Sequence, residues 1–251
     1  MYDFKIDSHV HTINSIHAYS TISECIAEAR DKKLEGIVIS DHFGPFFLNG
    51  SIFQSFAGIA NIARLPSEIN GITVIGGVEI DIVNPQGDLA FFDSYFSFDQ
   101  ETSIGEKLCK KSQVVIASYH DFYQKLSVEE NTKMLLKVID NPYVHILGHI
   151  DRIEGDIDFE LLLPKVKEKN KIVEINCSTF YQNGDIDSLK ILVEACLKHE
   201  VSISIGSDAH VAYEIGQFNE LVSFLKEIDF PEDKIISTNL KKFRKAINKV
   251  K

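Results

Sequence analysis

Nine histidine and carboxylate side chains follow short apolar segments of this 251-residue sequence, an arrangement suited to binding metal ions. Imidazole nitrogen and carboxylate oxygen are ligands for zinc, manganese and iron. Nine ligands exceed the needs of one four-coordinate ion, and they suffice for two or three ions if a carboxylate bridges neighbouring ions. Such a centre can activate water for hydrolysis. The candidate ligands are His9, His11, His17, His42, Glu79, His120, His149, Asp208 and His210.

The surroundings of each candidate separate ligands from ordinary structural residues. The pair His9-x-His11 is weak by itself, because alternating histidines also arise by chance on strands. Glu79 follows an apolar residue, and a buried carboxylate is costly unless it is paired or binds a metal ion. We expect Asp41 to orient an imidazole without binding metal, and Asp7 either to do the same or to accept backbone N–H groups.

The charge and composition of the chain limit its partners. Lys and Arg number 26 against 37 Asp and Glu, a formal net charge of −11, which disfavours a stable complex with nucleic acid. No apolar run approaches the ~20 residues that a membrane helix requires, and the N-terminus lacks the pattern of a secretory signal. The four cysteines have no C-x-x-C spacing and are interpreted as reduced thiols. We therefore expect a cytoplasmic protein without a membrane partner.

Short apolar segments alternate with helical patterns along the whole chain. The predicted strands cover 4–6, 37–39, 72–75, 78–82, 114–116, 144–147, 172–175 and 202–205. The predicted helices cover 23–33, 128–139, 158–169, 187–198 and 214–227, and Thr21 and Glu24 have the spacing of a capping box before the first of them. His145 begins a predicted strand and His199 ends a predicted helix, and we interpret both as structural.

This alternation predicts an α/β fold with one parallel sheet. About seven strand–helix units in a single domain spanning 1–251 favour a closed or nearly closed (β/α) barrel, and no G-x-G-x-x-G follows the first strand to indicate a dinucleotide-binding sheet. Since the candidate ligands follow the strands, the metal site is expected at the strands' C-terminal ends, where such barrels build active sites.

Two segments are harder to interpret. The strand pattern at 72–82 is split or bent at Gly76-Gly77. The stretch 44–70 carries four phenylalanines and forms either a lid over the site or a helical excursion that packs on the barrel, and we favour packing. The basic run around Lys241 and Arg244 is interpreted as the solvated face of a last helix.

With these residues in order, the sequence resembles the PHP (polymerase and histidinol phosphatase) superfamily, and most of all its stand-alone YcdX-type phosphatases. The similarity runs over nearly the whole chain. One departure follows His149, where this chain has Ile150-Asp151-Arg152 and YcdX-type proteins have His-Pro. The His-x-Asp form of this chain is similar to that of histidinol-phosphate phosphatases. The matching motifs are His9-x-His11, His17-Ala18-Tyr19-Ser20, Asp41-His42, Glu79, His120, His149 and Gly206-Ser207-Asp208-Ala209-His210.

The resemblance implies a distorted (β/α)7 barrel with three divalent metal ions, zinc being favoured over manganese or iron. It implies that His9, His11, Glu79 and Asp208 hold one ion. A second ion would be held by Glu79, His120 and His149, with Glu79 bridging, and a third by His17, His42 and His210.

A centre of this kind predicts a phosphatase that cleaves small phosphomonoesters. Three divalent ions against two carboxylates leave a positive pocket in an acidic protein, and a metal-bound hydroxide would attack phosphorus in line. Arg152 is the candidate phosphate-binding residue. The alternatives are a phosphodiesterase or nuclease acting on nucleotides, a histidinol-phosphate phosphatase, an amidohydrolase and a non-catalytic metal-binding protein.

Overall fold

Seven parallel strands form a nearly closed barrel in the computed structural model, which describes residues 2–120, 125–181 and 184–250. The strands are β1 (Ile6–Val10), β2 (Gly36–Ile39), β3 (His42–Phe43), β4 (Glu68–Ile69), β5 (Ile72–Asp81), β6 (Val114–Ser118), β7 (Ile146–Leu147), β8 (Ile172–Asn176) and β9 (Ile203–Gly206). The order around the barrel is β1-β2-β5-β6-β7-β8-β9, and two short strands, β3 and β4, pair with β5 outside this path. The predicted distorted (β/α)7 barrel is thereby confirmed.

Helices surround the barrel and connect its strands. They are α1 (Ile22–Asp31), α2 (Ile52–Ala60), α3 (Ile104–Lys111), α4 (Val128–Ile139), α5 (Phe159–Glu168), α6 (Ile186–His199), α7 (Asn219–Glu227) and α8 (Leu240–Val250). The capping box predicted before α1 is present, since Thr21 Oγ1 accepts from Glu24 N–H and Glu24 Oε2 accepts from Thr21 N–H. The helix predicted from 214 begins only at Asn219, because Gly216 turns the chain with a φ of 70°. Among the described residues, no helix combines the length and apolarity needed to cross a bilayer.

The barrel closes where β9 meets β1, through a few hydrogen bonds. Asp208 N–H donates to His9 O at 2.9 Å, and His11 N–H donates to Ala209 O at 2.9 Å. Ser8 Oγ also donates to the carbonyl oxygen of Ile205. This seam brings the H-x-H segment against the Asp208 segment, although nearly two hundred residues separate them in the chain.

The interior of the barrel changes character along each strand. On β8, Ile172 packs in the interior apolar cluster, whereas Glu174 and Asn176, two and four residues on, face the site. The same alternation on β5 takes the chain from Ile75, in that cluster, to Glu79. The apolar residues therefore fill the amino end of the barrel, and the carboxyl end is left for polar side chains.

An irregularity in β1 places its histidines. Ile6 packs in the interior cluster, so strict alternation would put His9 and His11 on the opposite face of the strand. The pairing of β1 with β2 shifts register between Asp7 and Val10. Such a shift changes which residues point inward, and both histidines consequently face the site.

The stretch predicted to be split or bent at Gly76-Gly77 is not split but forms one continuous strand, β5. The pairing partner of β5 changes at the two glycines. β2 pairs with residues 73–76, and β6 pairs with residues 77–81. A Cβ atom on Gly77 would lie 2.8 Å from Val38 Cγ1, so only glycine fits this approach.

The stretch 44–70 contains α2, which packs on the barrel as predicted. Ile59 is buried, and the ring of Phe56 makes an edge contact with that of Phe96. Phe47 behaves differently, because it stacks on His42 with ring centroids 4.3 Å apart. The segment thus packs outside the barrel through α2 and reaches the site through one aromatic ring.

The last helix, α8, covers the amino end of the barrel. Phe243 and Ile247 are buried in the same cluster as Ile6 and Val114, which begin their strands. The basic side chains of Lys241, Arg244 and Lys245 are exposed on its other face, as predicted.

Candidate metal centre

Glu79 on β5 lies at the middle of the candidate site and is fully buried. In the sheet β5 lies between β2 and β6, so the loops that follow these two strands flank the Glu79 side chain at the carboxyl end of β5. One residue of β3, His42, pairs directly with Glu79 in the sheet. The carboxylate oxygens of Glu79 lie 2.7 Å from His42 Nδ1, 2.9 Å from His149 Nε2, 3.4 Å from Nε2 of both His9 and His120, and 3.5 Å from His11 Nε2.

Asp208 supplies the second carboxylate from the loop after β9. Its Oδ1 lies 3.1 Å from His11 Nε2 and 3.8 Å from His9 Nε2. The residue has a φ of 57°, a left-handed conformation that non-glycine residues seldom adopt. The backbone bond from Asp208 N–H to β1 holds this strained geometry, which turns the carboxylate toward the histidines.

Three imidazoles lie together at the mouth of the site. His42 Nε2 is 3.4 Å from His210 Nε2, and the ring of His17 stacks 4.4 Å from the ring of His210. Phe47 lies against this group, 5.3 Å from the ring of His17 and stacked on His42. All nine predicted ligands are therefore brought to one end of the barrel.

The ligand atoms form three overlapping sets among the described residues, each with its atoms within 4.8 Å of one another. The sets differ in part from the grouping that the resemblance implies, because His11 accompanies His42 and His210 in place of His17. His149 also joins no set, although it contacts Glu79. The sets are His9 with His11 and Asp208, His11 with His42 and His210, and His42 with Glu79 and His120.

Three buried atoms at the centre make no hydrogen bond within the described part of the chain. They are His9 Nε2, His42 Nδ1 and Glu79 Oε2. A buried polar atom without a partner is destabilising, so native proteins keep few of them. Glu79 Oε2 lies 2.7 Å from His42 Nδ1 and 3.4 Å from His9 Nε2, and such a concentration of imidazole nitrogen and carboxylate oxygen fits divalent metal ions.

Two carboxylates that sequence reasoning did not select support the predicted ligands. Glu174 on β8 lies 2.8 Å from His9 Nδ1 and accepts from His149 N–H at 3.0 Å. Asp81 lies 2.9 Å from His120 Nδ1. A carboxylate on one ring nitrogen fixes the tautomer and directs the other nitrogen at the metal site. Both residues lie in buried strands, so the cost of burying a carboxylate could have marked them as paired groups, although it does not show which atoms they contact.

The two aspartates expected to orient imidazoles act differently. Asp41 accepts from Thr12 N–H at 2.6 Å and from Ser15 Oγ at 2.8 Å. Ser15 Oγ in turn contacts His11 Nδ1 at 3.1 Å, so Asp41 reaches an imidazole only through a serine. Asp7 accepts backbone N–H groups, one of them from Ser207 at 2.9 Å, which was the second alternative considered for it.

The two histidines interpreted as structural lie outside the site. His145 Nδ1 accepts from Val115 N–H at 3.1 Å between two strands. His199, at the end of α6, lies 3.3 Å from the carboxylate of Glu160 on the outer surface.

The histidines of the centre counteract the effect of burial on the pKa values of its two carboxylates. Burial raises the pKa of Glu79, but His42, His9 and His120 outweigh it and hold this pKa well below the usual range. The pKa of Asp208 is lowered in the same way, by His9 above all. Both carboxylates are therefore ionised at neutral pH.

Two of the imidazoles, those of His11 and His17, have lowered pKa values and are neutral at pH 7. Burial, together with the neighbouring rings of His210 and His42, lowers the pKa of His17 to about 4. Burial and His42 also hold the pKa of His11 well below its ordinary value. Neutral imidazole is the form that binds metal ions.

Arg152 reaches the edge of this centre from the 3₁₀ turn Ile150–Arg152. Its Nη1 donates to Asp208 Oδ2 at 3.1 Å, and its Nη2 donates to Asn176 Oδ1 at 2.8 Å and to Ser178 Oγ. The residue predicted to bind phosphate thus also positions one of the candidate metal-binding carboxylates.

Comparison with known proteins assigns the chain to a family. A model of the PHP domain matches residues 7–195. The chain belongs to the PHP family. Its curated PHP relatives include a probable phosphatase of Clostridium botulinum strain Hall, which is 38% identical over 246 residues, covering 97% of this chain and 94% of the relative. A probable phosphatase of Thermoanaerobacter sp. strain X514 is 34% identical over 250 residues, covering 98% of this chain and 95% of the relative.

A solved PHP structure shares the fold. The histidinol phosphate phosphatase of Lactococcus lactis, crystallised with zinc, L-histidinol and phosphate, superimposes with a TM-score of 0.62 at 20% identity. The match covers 90% of this chain and 94% of that one. The curated relatives confirm the predicted enzyme class, a hydrolase of the phosphatase type.

Proposed function

We propose that this PHP protein hydrolyses small phosphomonoesters at a centre of three divalent metal ions, with zinc as the favoured ion. The observation that carries the proposal is the convergence of His9 Nε2, His42 Nδ1 and Glu79 Oε2, three buried atoms that make no hydrogen bond to any described residue. Five more imidazoles and the Asp208 carboxylate surround them.

The residues of the centre divide into three groups around Glu79. His9, His11, Glu79 and Asp208 would hold one ion, and Glu79, His120 and His149 a second. His42 and His210 would hold the third, with His17 stacked on them and His11 close enough to take part. When bound, the ions supply water activation near neutral pH and neutralise the charge that develops on the phosphoryl group.

The remaining side chains of the site prepare it for a dianionic phosphate. Since only two of the nine ligands are carboxylates, three divalent ions leave the site positive although the whole protein is acidic. The guanidinium of Arg152 has five N–H donors, and its three contacts to described residues leave donors for a phosphate oxygen. Phe47 covers one side of His42 and limits access of bulk water there.

The decisive experiment is hydrolysis of an aryl phosphate monoester by metal-depleted protein to which Zn²⁺ or Mn²⁺ is returned. We expect activity that metal restores and a chelator removes, with three ions per chain measured by elemental analysis. The matched variants are His120→Asn, expected to lose activity by about 100-fold or more because metal ligation is lost, and His199→Asn, expected to retain it.

Each other result has a defined meaning. Activity on a bis-aryl diester in place of the monoester would favour the phosphodiesterase alternative. A chain that binds no metal would contradict the proposal as a whole. Once monoesterase activity is established, sugar phosphates, nucleotides and histidinol phosphate form the substrate screen, the last because the Lactococcus lactis protein holds histidinol and phosphate.

A further inference from the structure

The loop after β9, residues 207–216, carries two candidate metal ligands, Asp208 and His210. These two residues join different groups of ligand atoms. Between its ends the loop forms one short 3₁₀ turn, Ala212–Glu214. A segment with so little regular structure does not fix two side chains by itself, so the position of both ligands depends on where the loop is anchored.

One carboxylate, that of Asp7 on β1, holds both ends of this loop. Its Oδ1 accepts from Ser207 N–H at 2.9 Å, and its Oδ2 accepts from Gly216 N–H at 3.0 Å. A longer bond, 3.4 Å, joins Oδ1 to His9 N–H on its own strand. Ser207 is the first residue of the loop and Gly216 is the last, so a single side chain of β1 closes the loop at its base.

The burial of Asp7 indicates that this closure has a purpose. The residue is fully buried. A buried carboxylate is destabilising unless hydrogen bonds satisfy it, and here three backbone N–H groups do so, two of them from the loop. An apolar side chain in this place would avoid the cost of burying a charge, but it could not bind the backbone at either end of the loop.

The first anchor acts directly on Asp208, which follows Ser207 in the chain. The N–H group of Asp208 is held as well, because it donates to His9 O at 2.9 Å. Two consecutive backbone N–H groups are thus bonded to β1, one through the Asp7 side chain and one through the strand itself. Together they hold the left-handed φ of 57° that turns the Asp208 carboxylate toward the histidines.

The second anchor acts on His210 through Glu214. Glu214 lies two residues before Gly216, and its Oε2 accepts from His210 N–H at 2.9 Å. A bond of 2.8 Å from Tyr19 N–H to His210 O adds support from the loop after β1. The backbone of His210 is therefore tied to the segment that returns to Asp7.

We propose that Asp7 is a positioning residue for two metal sites at once, because it closes the loop that carries Asp208 for one ion and His210 for another. This inference rests on the proposed metal-dependent phosphatase function, and it adds the residue that assembles two of the three sites. The remaining site takes no ligand from the loop, since its candidate ligands are Glu79, His120 and His149.

Asp7→Asn tests this role, with zinc content as the readout. The variant keeps the size of the side chain but replaces one acceptor oxygen with an NH₂ group, which cannot accept from a backbone N–H. One end of the loop is released whichever way the amide turns. At limiting free zinc we expect the bound metal to fall from three ions per chain to about one, because two sites weaken by about 10- to 100-fold. The kcat on the aryl phosphate should fall with the lost ions.

Ser8→Ala is the matched control. Ser8 is the neighbour of Asp7, is equally buried, and bonds across the same β1–β9 seam, but to the carbonyl oxygen of Ile205 on β9 and not to the loop. We expect this variant to lower the midpoint of urea denaturation while it keeps three bound ions and the wild-type kcat. An equal loss of zinc in Ser8→Ala and Asp7→Asn would overturn the inference, because the stability of the seam would then control metal binding.

Amide hydrogen exchange of the wild-type protein decides the matter if Asp7→Asn fails to fold. The inference predicts that Gly216 N–H is protected as strongly as the N–H groups of the barrel strands, both in the zinc-loaded protein and after treatment with a chelator. Rapid exchange at Gly216 once the metal is removed would overturn it, because the ions would then be holding the loop.

The failure of the inference differs from the failure of the proposed function. If the wild type binds three ions and hydrolyses the aryl phosphate, and Asp7→Asn also binds three, the inference is wrong and the proposed function stands. If the wild type binds no metal, both are wrong.

Discussion

The two ends of this barrel are built from the same strands and serve opposite purposes. At the amino end, Ile6, Val114 and Ile172 pack with Phe243 of α8 in an apolar cluster. At the carboxyl end, the same strands place Glu174 and the β1 histidines in a buried polar centre. The difference shows that one end supplies stability while the other holds groups that folding alone would not favour.

Two residues at the carboxyl end also have unusual backbone conformations. His149 and Asp208, which both belong to the candidate centre, have φ angles of 29° and 57°. Non-glycine residues in such conformations are strained and tend to occur at functional sites. We therefore expect substitutions at the carboxyl end to change activity more than stability, and those at the amino end to do the reverse.

The largest effect is expected for Glu79→Gln. This change removes the charge that five imidazoles surround, and with it several kcal/mol of metal-derived catalysis, so activity should fall by about 1000-fold. Metal content by elemental analysis should fall in parallel. Glu168→Gln, an exposed change on α5, is the control and should leave both unchanged. Retention of the full metal content by Glu79→Gln would contradict the central role of this carboxylate.

At the opposite end, Phe243→Ala should lower the free energy of unfolding by about 3–5 kcal/mol, because it leaves a cavity in the interior cluster. Urea denaturation measures this loss, and the kcat of the folded fraction should not change. Ile191→Ala, on the exposed face of α6, should cost about 0.5 kcal/mol or less. A lowered kcat in folded Phe243→Ala protein would show that the two ends are coupled.

A smaller effect is expected for Glu174→Gln, which keeps the shape of the side chain but removes the charge beside His9 Nδ1. The loss of a carboxylate that orients a metal-binding imidazole typically weakens metal affinity by about 10- to 100-fold. Competition with a chromophoric chelator measures this affinity. An affinity equal to that of the wild type would mean that the barrel walls alone orient His9.

The smallest effect concerns Lys171, which begins the segment leading into β8 and donates to the carbonyl oxygens of Asn141 and Val144. Burial lowers its pKa from 10.5 to about 8. Below pH 8 the folded and unfolded chains both carry the proton, and the penalty for burying the charge is fully present. Between about pH 8 and 10.5 only the unfolded chain keeps it, so the stability contributed by this residue rises with pH.

Urea denaturation of the wild type and of Lys171→Met at pH 7.5 and pH 9.5 tests this direction. The stability difference between them should shift in favour of the wild type at the higher pH, by less than the limit of about 1.4 kcal/mol per pH unit for one proton. A shift toward the variant would show that the amine is better accommodated as a cation.

The alternation of apolar strands and amphipathic helices was enough to predict the barrel, because both patterns reflect burial directly. The prediction of strands was least accurate where polar residues are buried. β1 was predicted at 4–6 but runs from Ile6 to Val10. The polar residues Asp7, Ser8 and His9 interrupt the apolar pattern, and they are buried because they find partners inside the protein. The helix α3 was missed because Gly105 and three lysines weaken a pattern that is completed by packing of Leu108.

The candidate site shows the same limit. Residue type and position after strands were enough to select the nine side chains that the fold brings together. Neither could show that Glu174 and Asp81 reach imidazole nitrogens, because those contacts depend on the direction of side chains inside the barrel. The exchange of His11 for His17 beside His42 likewise depends on distances that only the three-dimensional arrangement defines.

The position of α8 bears on how the chain is synthesised. A ribosome adds about 5–20 residues per second and releases the strands in order, yet the apolar end of the barrel remains uncovered until Phe243 and Ile247 have emerged. A nascent chain that stops before residue 240 would already carry every candidate metal ligand and all the described strands. It would nevertheless expose the apolar amino end of the barrel, so we expect such a truncated chain to aggregate and to be degraded more readily than the whole protein.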